Sequence, residues 1–149
     1  MFEIKNCPGT LAPNHTTYST TALRRLFGGK KVSPFMELLY DNEDTTEEIV
    51  ENIKRISISG VQEKLSAVIR KGKICLTPEG VQGLYIIKPA PSNKSLRFRK
   101  QIPANEHLTM QIARQVFSIE TGENGLLFFQ DNTPAYIIRR FDIAPDGTK

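Results

Sequence analysis

The stretch Ile56-Ser57-Ile58-Ser59-Gly60-Val61-Gln62-Glu63-Lys64-Leu65-Ser66-Ala67-Val68-Ile69, answered further on by Leu84-Tyr85-Ile86-Ile87-Lys88-Pro89, decides the fold. Ile56 and Ile58 alternate with Ser57 and Ser59, the two-residue rhythm of a half-buried strand. After a polar bend at Gly60, Leu65-Ser66-Ala67-Val68-Ile69 resumes a strand. Lys71-Gly72-Lys73 predicts a hairpin turn into Ile74-Cys75-Leu76, and Pro78-Glu79-Gly80 turns the chain toward the run ending in Lys88. Pro89 and Pro91 both lack an amide donor, so they cannot both extend an interior strand.

Outward from this core, Pro103-Ala104 opens the clearest helix, running to about Phe117. Leu108, Ile112 and Val116 recur at helical spacing. Glu106, Met110, Ala113 and Phe117 mark the neighbouring stripe, which is expected to face the protein body. Leu126 to Phe129 and Ala135 to Ile138 read as two strands joined by the turn Gln130-Asp131-Asn132-Thr133-Pro134. The expected architecture is α+β, an antiparallel sheet of about five strands packed by one long helix.

Residues 1–54 read as an amino-terminal extension, and 55–149 as the sheet-forming portion. The first twenty or so residues, rich in Pro, Gly, Asn and Thr, predict irregular chain. Ser19 caps a short helix through Phe27, which Gly28-Gly29 can end. Pro34 to Tyr40 is an apolar turn, and Asp41 to Glu51, with six acidic residues, a solvated linker or helix start.

At 149 residues and 39% hydrophobic, the chain supports one ordinary core. A net charge of +4 is common on plain soluble proteins, and no aromatic-basic repeat, zinc spacing or helix-turn-helix pattern points to direct nucleic-acid binding. Cys7 and Cys75, far apart in unlike contexts, are expected as free thiols in a reducing compartment. No stretch approaches the roughly 18–20 apolar residues that span a bilayer. The expected location is the cytoplasm.

Lys88 ends an apolar run, where its stem can lie on hydrophobic surface while its ammonium meets phosphate; plain surface exposure is the alternative. Glu106, on a stripe facing the body, needs a partner, and Lys88 is the natural one. Helix N-terminal stabilisation of Glu106 is the reading that needs no ligand. Gly60 supplies backbone freedom where amides can face phosphate oxygens, or simply forms a β-turn. His107 is expected on the helix surface or as a cap, the basic loop with Lys94, Arg97, Arg99 and Lys100 as a solvated face, and Asp142 in an ion pair with its neighbouring arginines. No metal-ligand set is apparent.

In Ser57-Ile58-Ser59-Gly60-Val61-Gln62-Glu63-Lys64, Ile86-Ile87-Lys88-Pro89, Asn105-Glu106-His107 and Arg139-Arg140-Phe141-Asp142, the sequence resembles the HipA-like serine/threonine kinases of bacterial toxin–antitoxin systems, closest to the short HipT type. The resemblance covers roughly residues 55–149 and implies a kinase amino-terminal-lobe-like fold binding ATP and Mg. It makes Gly60, Val61 and Gln62 part of a nucleotide-covering loop and Ser57 and Ser59 autophosphorylation positions. Lys88 would contact the ATP phosphates, Glu106 would orient it, and the strand holding Ile138 and Arg139 would lie where the hinge meets adenine. The implied partners are a DNA-binding antitoxin, a small HipS-like protein and an aminoacyl-tRNA synthetase as substrate. The aspartate that orients the acceptor hydroxyl and the acid that holds magnesium belong, in this family, to a carboxy-terminal lobe beyond Asp142. The chain is therefore expected to be the amino-terminal lobe of a longer kinase, with no catalytic residue of its own. The alternative is a non-catalytic binding module or antitoxin-like partner on the same fold.

Overall fold

Lys71 and Gly72 both adopt positive φ, 49° and 75°, the pair of left-handed residues a tight two-residue hairpin requires. They join β1 (Leu65–Arg70) to β2 (Lys73–Leu76), with Arg70 opposite Lys73 and Ala67 opposite Leu76. β3 (Tyr85–Pro89) pairs with the other edge of β1, placing Leu65 opposite Ile87. A helix, α3 (Ile102–Gln115), intervenes before β4 (Asn124–Phe128) and β5 (Pro134–Arg139). β5 inserts between β3 and β4, giving the order β2-β1-β3-β5-β4 with every pairing antiparallel. This is the expected five-stranded α+β arrangement. The computed structural model describes residues 2–40, 47–55, 62–144, 146 and 148.

Strand alternation gives the sheet two unlike faces. One carries Leu65, Ala67, Ile74, Leu76, Tyr85, Ile87, Leu127, Ala135 and Ile137, all buried in one core with Tyr18, Leu26, Phe27, Met36 and Tyr40 of the amino-terminal extension. Two tyrosine hydroxyls stitch the halves together: Tyr85 donates to the Leu26 carbonyl at 2.9 Å, and Tyr18 to that of Leu126 at 2.6 Å. The extension's helix, α1 (Thr20–Phe27), is capped by Ser19 Oγ, which accepts from the Ala22 amide at 3.2 Å, and closes at Gly28 with φ 63°. Cys7 and Cys75 are free thiols.

The carboxyl-terminal part of the acidic stretch forms α2 (Glu47–Arg55), with Ile49 buried. Its Asn52 meets β1 as a backbone would: Oδ1 accepts from the Ser66 amide at 2.8 Å while Nδ2 donates to the Ser66 and Thr77 carbonyls at 3.2 and 3.3 Å. Among the described residues no helix is long and apolar enough to cross a membrane.

On the second face, α3 packs against β4 and β5, with Glu106, Met110 and Ala113 of the expected inward stripe half-buried. Leu108, Ile112, Val116 and Phe117 are exposed, whereas Pro103, His107 and Gln111 are buried. The cause lies at the start of β4, where Asn124 is buried and needs partners. His107 and Gln111, one turn apart, both reach its Oδ1, at 2.8 and 3.3 Å. Polar satisfaction, not apolar area, accounts for the burial of His107 and Gln111.

Gly83 lies against the Asn52 network: a Cβ there would fall 1.9 Å from Ser66 Oγ and 2.7 Å from Thr77 Oγ1, which are bonded to each other at 2.8 Å. Gly83→Ala should lower unfolding free energy by about 1–3 kcal/mol in chemical denaturation. A change inside roughly 0.5 kcal/mol would contradict this packing.

Candidate functional site

The two-residue period that sends Ile87 into the core sends Ile86 and Lys88 to the α3 side of the sheet. Lys88 stands opposite Tyr136 in the β3–β5 register, and its Nζ sits 5.4 Å from the centre of that ring. Glu106, in the first half of α3, reaches down to it, with Oε1 2.6 Å from Lys88 Nζ. Both side chains remain about one quarter exposed, 25% and 23%, so the pair lies at the rim of the covered region.

Tyr136 is the floor beneath the ammonium. Its ring is fully buried, and its hydroxyl has no hydrogen-bond partner among the described residues. Burial first, and the nearby charge of Glu106 second, push its ionisation far above the ordinary phenol range, so it stays protonated. Next to the pair on the same face, Ile86 stands between Ser66 and Ile138 in register, and Val68 follows along β1. Val68, Ile86 and Ile138 are half-buried. A fixed cation therefore borders a strip of half-covered apolar side chains. Such a combination suits a ligand with an anionic end and a flat apolar end.

The structure brings together Lys88, Glu106 and Ile138 on this face. Gln62 joins them from the segment before β1: its Nε2 donates to the Pro89 carbonyl at 3.4 Å, one residue beyond Lys88. Ser57, Ser59, Gly60 and Val61 lie outside the described residues. The Arg139 side chain is placed on the opposite face, opposite Tyr85 in register, and its backbone amide donates to the Glu123 carbonyl at 2.8 Å. Asp142 forms the expected ion pair, a two-pronged contact with Arg140 at 2.6 and 3.0 Å.

His107 departs from expectation. Instead of surface or capping duty it is fully buried, its Nδ1 against Asn124 Oδ1. Because that oxygen is an acceptor, Nδ1 carries the proton, leaving Nε2 without a partner among the described residues. Its partner Asn124 sits 17 positions along the chain, so no local spacing announces the contact. Val68, Ile86 and Tyr136 read in the sequence only as strand residues, though their alternation with core residues held the signal of a shared face.

A family model described as HipA-like C-terminal domain matches residues 56–148, more than half the chain. The match takes in all five strands, α3 and the Lys88–Glu106 pair. No curated protein matches the chain.

Burial lowers the His107 pKa below its ordinary value, an effect that the Asn124 hydrogen bond only partly offsets. The folded state thus binds a proton less readily than the unfolded chain, whose histidine titrates near 6.5. The stability from a neutral His107 is complete above about pH 6.5 and is lost as pH falls toward the depressed folded value. Urea midpoints measured between about pH 7.5 and 5 should fall with acidification, and His107→Gln should flatten that slope. An unchanged slope in the variant would refute the assignment.

Proposed function

The chain belongs to the HipA-like C-terminal domain family, and from that premise we propose that it carries the nucleotide-gripping portion of an ATP-dependent serine/threonine protein kinase of a toxin–antitoxin system, of the short HipT type. The observation that carries this reading is the 2.6 Å pair between Lys88 and Glu106. A lysine on the third strand held by a glutamate of the following helix is the arrangement by which protein kinases fix an ammonium on ATP phosphates.

On this reading Lys88 contacts the phosphate oxygens and Glu106 holds it in place. The half-buried strip of Val68, Ile86 and Ile138 accepts the flat base, with the amides around Gly60 to Gln62 covering the phosphates. Magnesium arrives with the nucleotide. The acceptor-orienting aspartate and the metal-holding acid come from a separate carboxy-terminal lobe, and Ser57 and Ser59 are the autophosphorylation positions. An aminoacyl-tRNA synthetase is the proposed substrate, with a DNA-binding antitoxin and a small HipS-like protein as partners.

The second reading is a non-catalytic binding module or antitoxin-like partner. It draws on Asp142, whose carboxylate is taken up by Arg140. The two readings differ in whether phosphoryl transfer occurs once the second lobe is present.

Lys88→Ala should weaken Mg-ATP binding to this chain at least about tenfold, or ~1.4 kcal/mol, in a calorimetric titration. In a polypeptide carrying the further lobe it should abolish autophosphorylation while leaving the circular dichroism spectrum unchanged. Phosphoryl transfer surviving in that variant would remove Lys88 from the phosphate-anchor role.

A further inference from the structure

The chain leaves β3 through Pro89-Ala90-Pro91-Ser92, immediately after Lys88. Neither proline has an N–H, so the strand ladder holds this exit weakly. Toward β5, the Ala90 amide donates to the Pro134 carbonyl at 3.0 Å. On the far side of the loop, Arg99 Nη1 donates to the Pro91 carbonyl at 2.9 Å. Toward β1, the contacts among the described residues come from side chains. Gln62 reaches the Pro89 carbonyl, and Ser92 Oγ donates to Glu63 Oε1 at 2.6 Å.

The other oxygen of Glu63 accepts from the Tyr40 hydroxyl. Tyr40 is itself firmly seated: its ring is buried and stacked on Phe129 at 4.9 Å, and its amide donates to Asp131 Oδ2 at 3.2 Å. One carboxylate therefore joins three separate segments: the extension, the residues leading into β1 and the exit of β3.

We infer that Glu63 is a positioning residue for Lys88, anchoring the β3 exit to the Tyr40 phenol so that the amino-terminal extension forms part of the frame of the site. The inference rests on Lys88 being the phosphate anchor. Two bonds to a carboxylate are charge-assisted and directional, and small misplacements of a ligand-gripping group cost affinity steeply. A glutamine at this position preserves the geometry, because its oxygen still accepts from Ser92 while its amide can donate to the phenol oxygen.

The test compares wild type, Glu63→Ala, Glu63→Gln and Tyr40→Phe by calorimetric titration with Mg-ATP, at a temperature where all four are folded. Hydrogen–deuterium exchange over residues 86–92 is followed in parallel. Glu63→Ala should weaken Mg-ATP binding about tenfold and speed exchange over 86–92 while β4 keeps its protection. Glu63→Gln should stay within about threefold of wild type, and Tyr40→Phe should fall between wild type and Glu63→Ala. Wild-type affinity in Glu63→Ala, or loss of protection spread evenly over the sheet, would overturn the positioning role. If wild type itself fails to bind Mg-ATP, the proposed kinase function falls. The anchor is then judged by exchange: unchanged protection over 86–92 in Glu63→Ala overturns it, and selective loss there supports it.

Discussion

The contact between Lys88 and Glu106 ties the middle of the sheet to the helix above it, and its geometry depends on which way that helix faces. Successive residues of an α-helix step about 100° around its axis. With His107 driven inward against Asn124, the preceding residue, Glu106, is turned toward β3 and its lysine. The buried polar contact thus sets the aim of the ion pair. Had α3 buried Leu108, Ile112 and Val116 instead, Glu106 would point elsewhere. An unpaired carboxylate or ammonium beneath a helix is expensive, so the two polar contacts reinforce each other.

Where secondary structure follows from near neighbours, the sequence was readable. The alternation through Leu65 to Ile69, the Lys71-Gly72 turn, the prolines after Lys88, and the Ser19 cap with its Gly28 stop all act within a few residues, and the strands and α1 form accordingly. The Lys88–Glu106 pairing could also be inferred, because an inward-facing carboxylate demands a cation. The burial of His107 could not. It is set by Asn124, an ordinary turn-former by sequence, whose role appears only once β4 lies beneath the helix. Leu108, Ile112 and Val116 recur at helical spacing, yet they stay exposed while His107 and Gln111 satisfy Asn124.

The extension posed a different problem. Tyr18, Met36 and Tyr40 lie outside any regular element, so no periodicity marks them as core, yet each is buried with the sheet residues. Irregular chain can bury apolar side chains only if its backbone groups find partners elsewhere. Here they do: the Met36 amide donates to the Phe128 carbonyl, the Phe128 amide to that of Pro34, and the Leu126 amide to that of Pro8, each at 2.8 Å. The free edge of β4 is therefore covered by the extension, which blunts it against pairing with another chain.

Partial exposure of the ion pair bears directly on what it can do. Fully buried, the two charges would be locked together by the cost of separating them; fully exposed, they would hold no fixed geometry. At about one-quarter exposure the ammonium is oriented by Glu106 and by the Tyr136 ring, yet it still borders solvent. A lysine ammonium has three donors, and the contact with Glu106 occupies one of them. An anion entering along Val68 and Ile86 can therefore approach the cation without displacing the carboxylate that holds it. A helix-held lysine at the border of an apolar strip is thus oriented by folding itself, which would spare an anionic ligand that ordering cost on binding.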